Sequence, residues 1–164
     1  MDKYWIWLSS VPEITPEVFD RLIETFGSAQ EVWNAKEAAL SRLLPARMRK
    51  NLLEARTREW ANQLFRELAR NDILCITRLD ERYPALLKDI YDPPATLFVR
   101  GNPDLDFARA LAVVGTRRPT HDGARAAREL SAAIAAQGVT IVSGLAMGID
   151  ALAQRGGLDA GGRE

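Results

Sequence analysis

Ala110-Leu111-Ala112-Val113-Val114-Gly115-Thr116-Arg117-Arg118 and, further along, Val139-Thr140-Ile141-Val142-Ser143-Gly144-Leu145-Ala146 decide how this chain is read. Each begins as a short apolar run rich in valine or isoleucine and turns abruptly into a glycine-bearing segment. Such runs suit parallel strands buried on both faces. Between them, residues 122–137 are rich in alanine and carry Leu130 and Ile134 on one side. Gly138 follows, a residue suited to closing a helix in the left-handed conformation. Strand, helix and strand with short connections make a βαβ unit, so this half of the chain is expected to be a Rossmann-like, doubly wound α/β domain.

Working outward, the turns are where chemistry is expected, because open parallel sheets bind ligands beyond the carboxyl ends of their strands. Gly115-Thr116-Arg117-Arg118 follows the first run, and Ser143-Gly144 opens the loop after the second. Glycine lets a phosphate approach the backbone, Thr116 and Ser143 offer hydroxyls, and each guanidinium offers a planar fork matched to phosphate oxygens. A helix start pointing at the same place also favours an anion. Glycines that merely turn the chain and arginines that merely face water are the plainer alternative. The spacing is not that of a dinucleotide-binding fingerprint or a Walker A loop, and no zinc-ligand spacing occurs. No cofactor and no metal are expected. Asp150 reads as a carboxylate at a helix start rather than a catalytic group, and His121 as an exposed loop residue.

Upstream, residues 1–71 read as a small helical domain. Thr15-Pro16 is a helix start, with Val18, Phe19, Leu22, Ile23 and Phe26 on one stripe and Gly27 at its end. Ser28 to Glu31 fits a capping box. Further helices are expected over Glu37–Leu44, stopped by Pro45, and as one long element from about Ala46 to Arg70. Helices this short need one another to be stable, which implies a bundle. Trp5, Trp7, Trp33 and Trp60 could stack bases, but their apolar neighbours favour core packing. From residue 72 to 164 the strand-like runs at 73–76 and 95–100 are grouped with the α/β half.

Charge and composition narrow the class. Lys plus Arg equals Asp plus Glu at 22 each, so no global field draws the chain to nucleic acid or membrane. Local imbalance exists. Residues 42–58 hold Arg42, Arg47, Arg49, Lys50, Arg56 and Arg58 against Glu54, and residues 117–128 hold Arg117, Arg118, Arg125 and Arg128 against Asp122. The first run reads as a solvated helix face. Cys75 is the only cysteine, so no internal disulfide forms, and its apolar setting predicts a buried thiol. Neither a signal peptide nor a membrane span is visible, and a cytoplasmic location is expected.

At this point the residues resemble a known family. Val113-Val114-Gly115-Thr116-Arg117-Arg118-Pro119-Thr120 with Gly123, and Ser143-Gly144-Leu145-Ala146 with Gly148-Ile149-Asp150, are similar to two ordered elements of the DNA-processing A (DprA/Smf) family. So are Tyr83-Pro84, Leu86-Leu87-Lys88, Asp92-Pro93-Pro94 and Leu97-Phe98-Val99-Arg100-Gly101, while Phe26-Gly27-Ser28 and Trp33 resemble its sterile-alpha-motif-like front domain. The resemblance covers essentially the whole chain. It implies a protein that binds single-stranded DNA in a positive pocket, dimerises, and loads the RecA recombinase during natural transformation. It assigns Arg117 as the main phosphate contact, with Gly115, Thr116, Arg118, Ser143 and Gly144 beside it. There are departures: Gln154 stands where the family has histidine, and Asp122 where an aromatic is common. Family members also continue past the position of Glu164, so an incomplete sheet and a truncated product are expected. The rival reading is a nucleotide-cleaving, phosphoribohydrolase-like enzyme; a fragment that binds nothing is a third.

Overall fold

The computed structural model describes residues 3–102 and 107–162. Its contacts divide the chain into two compact units, Met1–Pro103 and Asp104–Glu164. The sequence reading placed that boundary at 71/72, and the difference has a clear cause in the first unit.

That unit begins with six helices: α1 (Lys3–Ser10), α2 (Pro16–Phe26), α3 (Ala29–Asn34), α4 (Glu37–Leu40), α5 (Ala46–Ala55) and α6 (Arg58–Arg70). The expected caps are present. Thr15 Oγ1 accepts from Val18 N at 3.3 Å, Ser28 Oγ accepts from Glu31 N at 3.2 Å, and Gly27 ends α2 at φ +87°. Trp7, Phe19, Leu22, Val32, Leu40 and Leu52 are fully buried together and form the core of a helical bundle. The long helix expected over 46–70 is instead two. Arg56 and Thr57 leave the helical path, and Thr57 Oγ1 caps α6 by accepting from Trp60 N at 3.1 Å. A threonine cap satisfies one of the four amides that every new helix start leaves open. The break is also pinned by Arg56, whose guanidinium donates to Ala35 O at 2.6 Å and Val32 O at 2.9 Å, capping the end of α3.

Two strands follow, β1 (Ile73–Thr77) and β2 (Thr96–Arg100), with the short helix α7 (Ala85–Lys88) between them. They pair with each other, antiparallel, from Ile73 opposite Arg100 to Thr77 opposite Thr96. They are therefore not strands of the parallel sheet, as the sequence reading had grouped them. What holds them to the helices is side-chain chemistry over long sequence distances. Cys75 packs on Ile6 and Leu68, Trp5 Nε1 donates to Ala95 O at 2.8 Å, and the hydroxyls of Ser9 and Thr96 lie 2.7 Å apart. Arg78 forks onto Asp20. Burial pushes the Cys75 thiol up from its ordinary value, in keeping with the inert cysteine expected from its neighbours.

The second unit contains β3 (Ala110–Ala112), α8 (His121–Ala135), β4 (Thr140–Val142) and α9 (Ile149–Asp159). β3 and β4 are parallel, with Leu111 opposite Ile141, and α8 is the crossover, giving the Rossmann-like βαβ unit. Both helices cover the same face: Ile134 and Ala135 of α8 and Ala153 of α9 meet Ile141 and Val113. The strands are consequently not buried on both sides. Leu111, Val114 and Val142 are 42%, 68% and 39% exposed, because within this unit no described element lies across the other face. Among the described residues, no helix is long and apolar enough to cross a membrane.

Candidate phosphate-binding edge

Each strand of the parallel pair runs out into a loop at its carboxyl end, and the two loops are locked together. Val113 N continues the ladder to Val142 O at 2.9 Å, and Ile149 N donates to Thr116 O at 3.1 Å. The Ser143 hydroxyl donates to Val113 O at 2.7 Å. Gly148 sits at φ +90°, and a Cβ there would collide with the Thr116 backbone oxygen and approach the Arg117 backbone within 2.7 Å. Only glycine allows the second loop to lie that close against the first.

The centre of the arrangement is Asp150, which is 5% exposed. One carboxylate oxygen accepts from Gly115 N at 3.1 Å and the other from Gly144 N, also at 3.1 Å. A single side chain at the start of α9 thus ties the ends of both strands. The Gly115 amide is the largest influence holding this carboxyl below the ordinary aspartate range, with Gly144 and Ala146 adding to it against the opposing effect of burial. Ser143 also favours the charged form of Asp150, and its hydroxyl donates to Val113 O at 2.7 Å. Hydrogen bonds donated to the charged form favour it, so Asp150 is an ionised structural anion.

All six residues expected at the site from sequence lie in these loops. Their roles divide. Gly115 and Gly144 direct their amides inward to Asp150, so they shape the edge rather than offer those amides to a ligand. Ser143 is likewise committed inward. Thr116 uses its hydroxyl to accept from Arg118 N at 3.2 Å, which folds the turn on itself. Arg117 and Arg118 remain outward: both are exposed, and among the described residues neither has a carboxylate partner. Thr120 caps α8 by accepting from Gly123 N at 3.2 Å, leaving the helix start beside these arginines. Asp122, which would oppose a phosphate nearby, pairs with Arg125 at 3.2 Å. Sequence reasoning gave Asp150 a local helix-start role and missed the bridge. The signal was there only in part, as a carboxylate following Gly148-Ile149, because its partner Gly115 lies 35 positions away.

The basic run at 42–58 is largely spent on structure. Arg47 pairs with Glu13 at 2.6 Å, Arg49 with Glu37 at 3.4 Å and Lys50 with Glu54 at 3.7 Å, while Arg56 caps α3. Among the described residues, no cluster of histidine, cysteine and carboxylates fit to hold a metal occurs.

Known proteins share this organisation. Residues 74–164 match the family described as DNA recombination-mediator protein A. Protein Smf of Synechocystis is 33% identical over 166 residues, a span covering 98% of this chain and 42% of that protein. DNA processing protein DprA of Bacillus subtilis is 44% identical over 84 residues, covering 51% of this chain and 28% of the relative. The X-ray structure of DNA processing protein A from Streptococcus pneumoniae superposes with a TM-score of 0.66 at 26% identity, over 99% of this chain and 56% of that one. The chain thus spans less than half the length of these two curated relatives. With the family match over more than half of its residues, the Rossmann-like unit included, this chain belongs to the DNA recombination-mediator protein A family.

Proposed function

We propose that the chain is a DNA-processing protein that binds single-stranded DNA through its phosphates, with Arg117 as the principal contact and Arg118 beside it, and that it is a binder rather than an enzyme. The observation that carries this reading is the pair of exposed, acid-free guanidiniums on a loop that Asp150 holds rigid against its neighbour. A fixed cationic fork next to a helix start suits a phosphate oxygen and carries no base-reading device. The names of the relatives, DNA processing protein and DNA recombination-mediator protein, point to the same class of ligand. A nucleotide-cleaving enzyme would need a carboxylate free to act on the ribosyl bond. Asp150, the buried carboxylate of this edge, has both oxygens engaged by amides.

Fluorescence anisotropy with a labelled oligonucleotide tests the reading. Single strands should bind more tightly than duplex, with little dependence on base sequence; equal or tighter duplex binding would contradict it. RecA recombinase is the protein partner that this function names, and a homodimer is the assembly. Faster RecA filament nucleation on single strands in the presence of the protein, and a dimer mass in sedimentation, are the corresponding checks.

A further inference from the structure

A partly open cavity of about 360 Å³ in the first unit belongs to none of the elements described above as a site. Its wall is one stripe of α6: Arg58, Ala61, Asn62 and Phe65 recur at helical spacing and face the same way. Across from it α1 contributes Lys3, Tyr4 and Trp7, and α3 contributes Trp33. Four aromatic rings therefore meet in one concavity. Trp7 and Trp33 stand edge to face with centroids 4.8 Å apart, and Tyr4 lies 5.7 Å from Trp33. Trp7 is the buried floor, its indole N–H committed to Ala55 O at 2.8 Å. Trp33, Tyr4 and Phe65 are only half-buried, so they keep surface to offer.

The rim has a definite charge. Lys3 and Arg58 are both exposed, with Lys3 Nζ 5.0 Å from the Tyr4 ring centroid; among the described residues no carboxylate lines the cavity and neither cation has an acidic partner. In the basic run 42–58 the cations at 47, 49, 50 and 56 are committed elsewhere, as shown above, whereas Arg58 is not. Asn62, also exposed, places an amide able to donate and accept at the same rim. A cavity of this size with an aromatic floor and a few polar groups at its mouth has the form of a ligand site. Its occupant must combine a flat apolar face with a neighbouring negative charge. An aliphatic side chain would fill the floor and bring no negative charge to the rim.

We propose that this cavity in the helical unit takes one nucleotide of a single strand, its base against Trp33 and Tyr4 and its phosphate on Arg58 and Lys3. Base–aromatic contact is tolerant of sequence, and a cationic rim selects the charged backbone that comes with each base. The proposal shares with the loop edge only the class of ligand, since the two surfaces lie in different units.

Photocrosslinking of the full chain to a short strand carrying iododeoxyuridine, followed by peptide mapping, tests it. Crosslinks are expected on the peptides holding Tyr4, Trp33 or Phe65. They should persist in Arg117→Ala and fall about tenfold in Arg58→Glu, the scale of one lost charged contact turned to repulsion, at an unchanged melting temperature. Lys3→Glu supplies a second rim variant should Arg58→Glu lower the melting temperature. Crosslinks confined to residues 113–150, or none at all, would overturn this proposal while leaving the loop reading, a phosphate contact, to its own binding test. Crosslinks at the aromatic peptides that ignore both rim variants would also overturn it. So would quenching of tryptophan fluorescence by an acidic aromatic peptide, lost in Arg58→Glu, where the oligonucleotide gives none.

Discussion

At Asp150 one carboxylate holds two amides from different strand ends, and its replacement isolates that role. Asp150→Asn keeps the volume but loses the charge, and its amide nitrogen cannot accept from a backbone N–H. We expect a melting temperature several degrees lower and faster hydrogen exchange at the Gly115 and Gly144 amides, with the helical unit unaffected. The pH dependence has a definite sign. The folded carboxyl is held below its ordinary value, so its contribution is fully present above the unfolded aspartate pKa of about 4 and is lost as pH falls through the lower, folded value. Protection of the Gly115 and Gly144 amides relative to their intrinsic exchange should therefore fall below about pH 4 in the parent and show no such acid limb in Asp150→Asn. An identical acid limb in both proteins would assign the effect to another group. The sequence made the loops and their arginines legible through local turn chemistry. It could not show that the glycine amides point inward, because that depends on a contact made only after the strands pair.

On the scale of elements, close approach is set by glycines with backbone on the other side. Gly156 in α9 is buried, and a Cβ there would collide with the carbonyl oxygen of Arg128 in α8. Glycine to alanine in a helix ordinarily gains about 1 kcal/mol. Here the sign should reverse, with Gly156→Ala losing on the order of 1–3 kcal/mol in chemical denaturation, the usual range for overpacking; a net gain would show that α8 and α9 are less tightly apposed. Thr57→Ala tests the break between α5 and α6 and should cost about 1 kcal/mol, the usual contribution of a threonine cap, whereas a continuous helix would gain from alanine. The helix starts at Thr15 and Ser28 were readable because a hydroxyl with a proline or an apolar stripe marked each of them, whereas the cap at Thr120 lies two residues ahead of the start expected at 122. Thr57 was overlooked because good helix formers on both sides extend the pattern across it.

The whole molecule divides where tertiary contacts, not composition, dictate. A change from helical to strand-like pattern at residue 72 is real, yet β1 and β2 are fastened to the bundle by Trp5, Ser9, Asp20 and Leu68. Local pattern gave the type of the strands and of several helices, though it passed over α1 and α7, and it had no access to which partner each would choose. A chain ending at residue 70 should accordingly unfold at lower denaturant than one ending at residue 103, since it leaves Ile6 and Leu68 without Cys75 and the Trp5 indole without its acceptor. Equal midpoints would restore the boundary at 72. For function, the central claim is that Arg117 on the locked loop holds a DNA phosphate. Replacing it with alanine should weaken single-strand binding by about 1–3 kcal/mol, the scale of a hydrogen bond to a charged group, and Arg117→Lys should recover only part of the loss. The most direct measurement is the salt dependence of oligonucleotide affinity for the parent and Arg117→Ala, with thermal melting alongside. We expect a shallower slope of log affinity against log salt in Arg117→Ala, reduced by about one phosphate contact, at an unchanged melting temperature. An unchanged slope and affinity, or a variant that binds less only because it unfolds, would contradict the assignment.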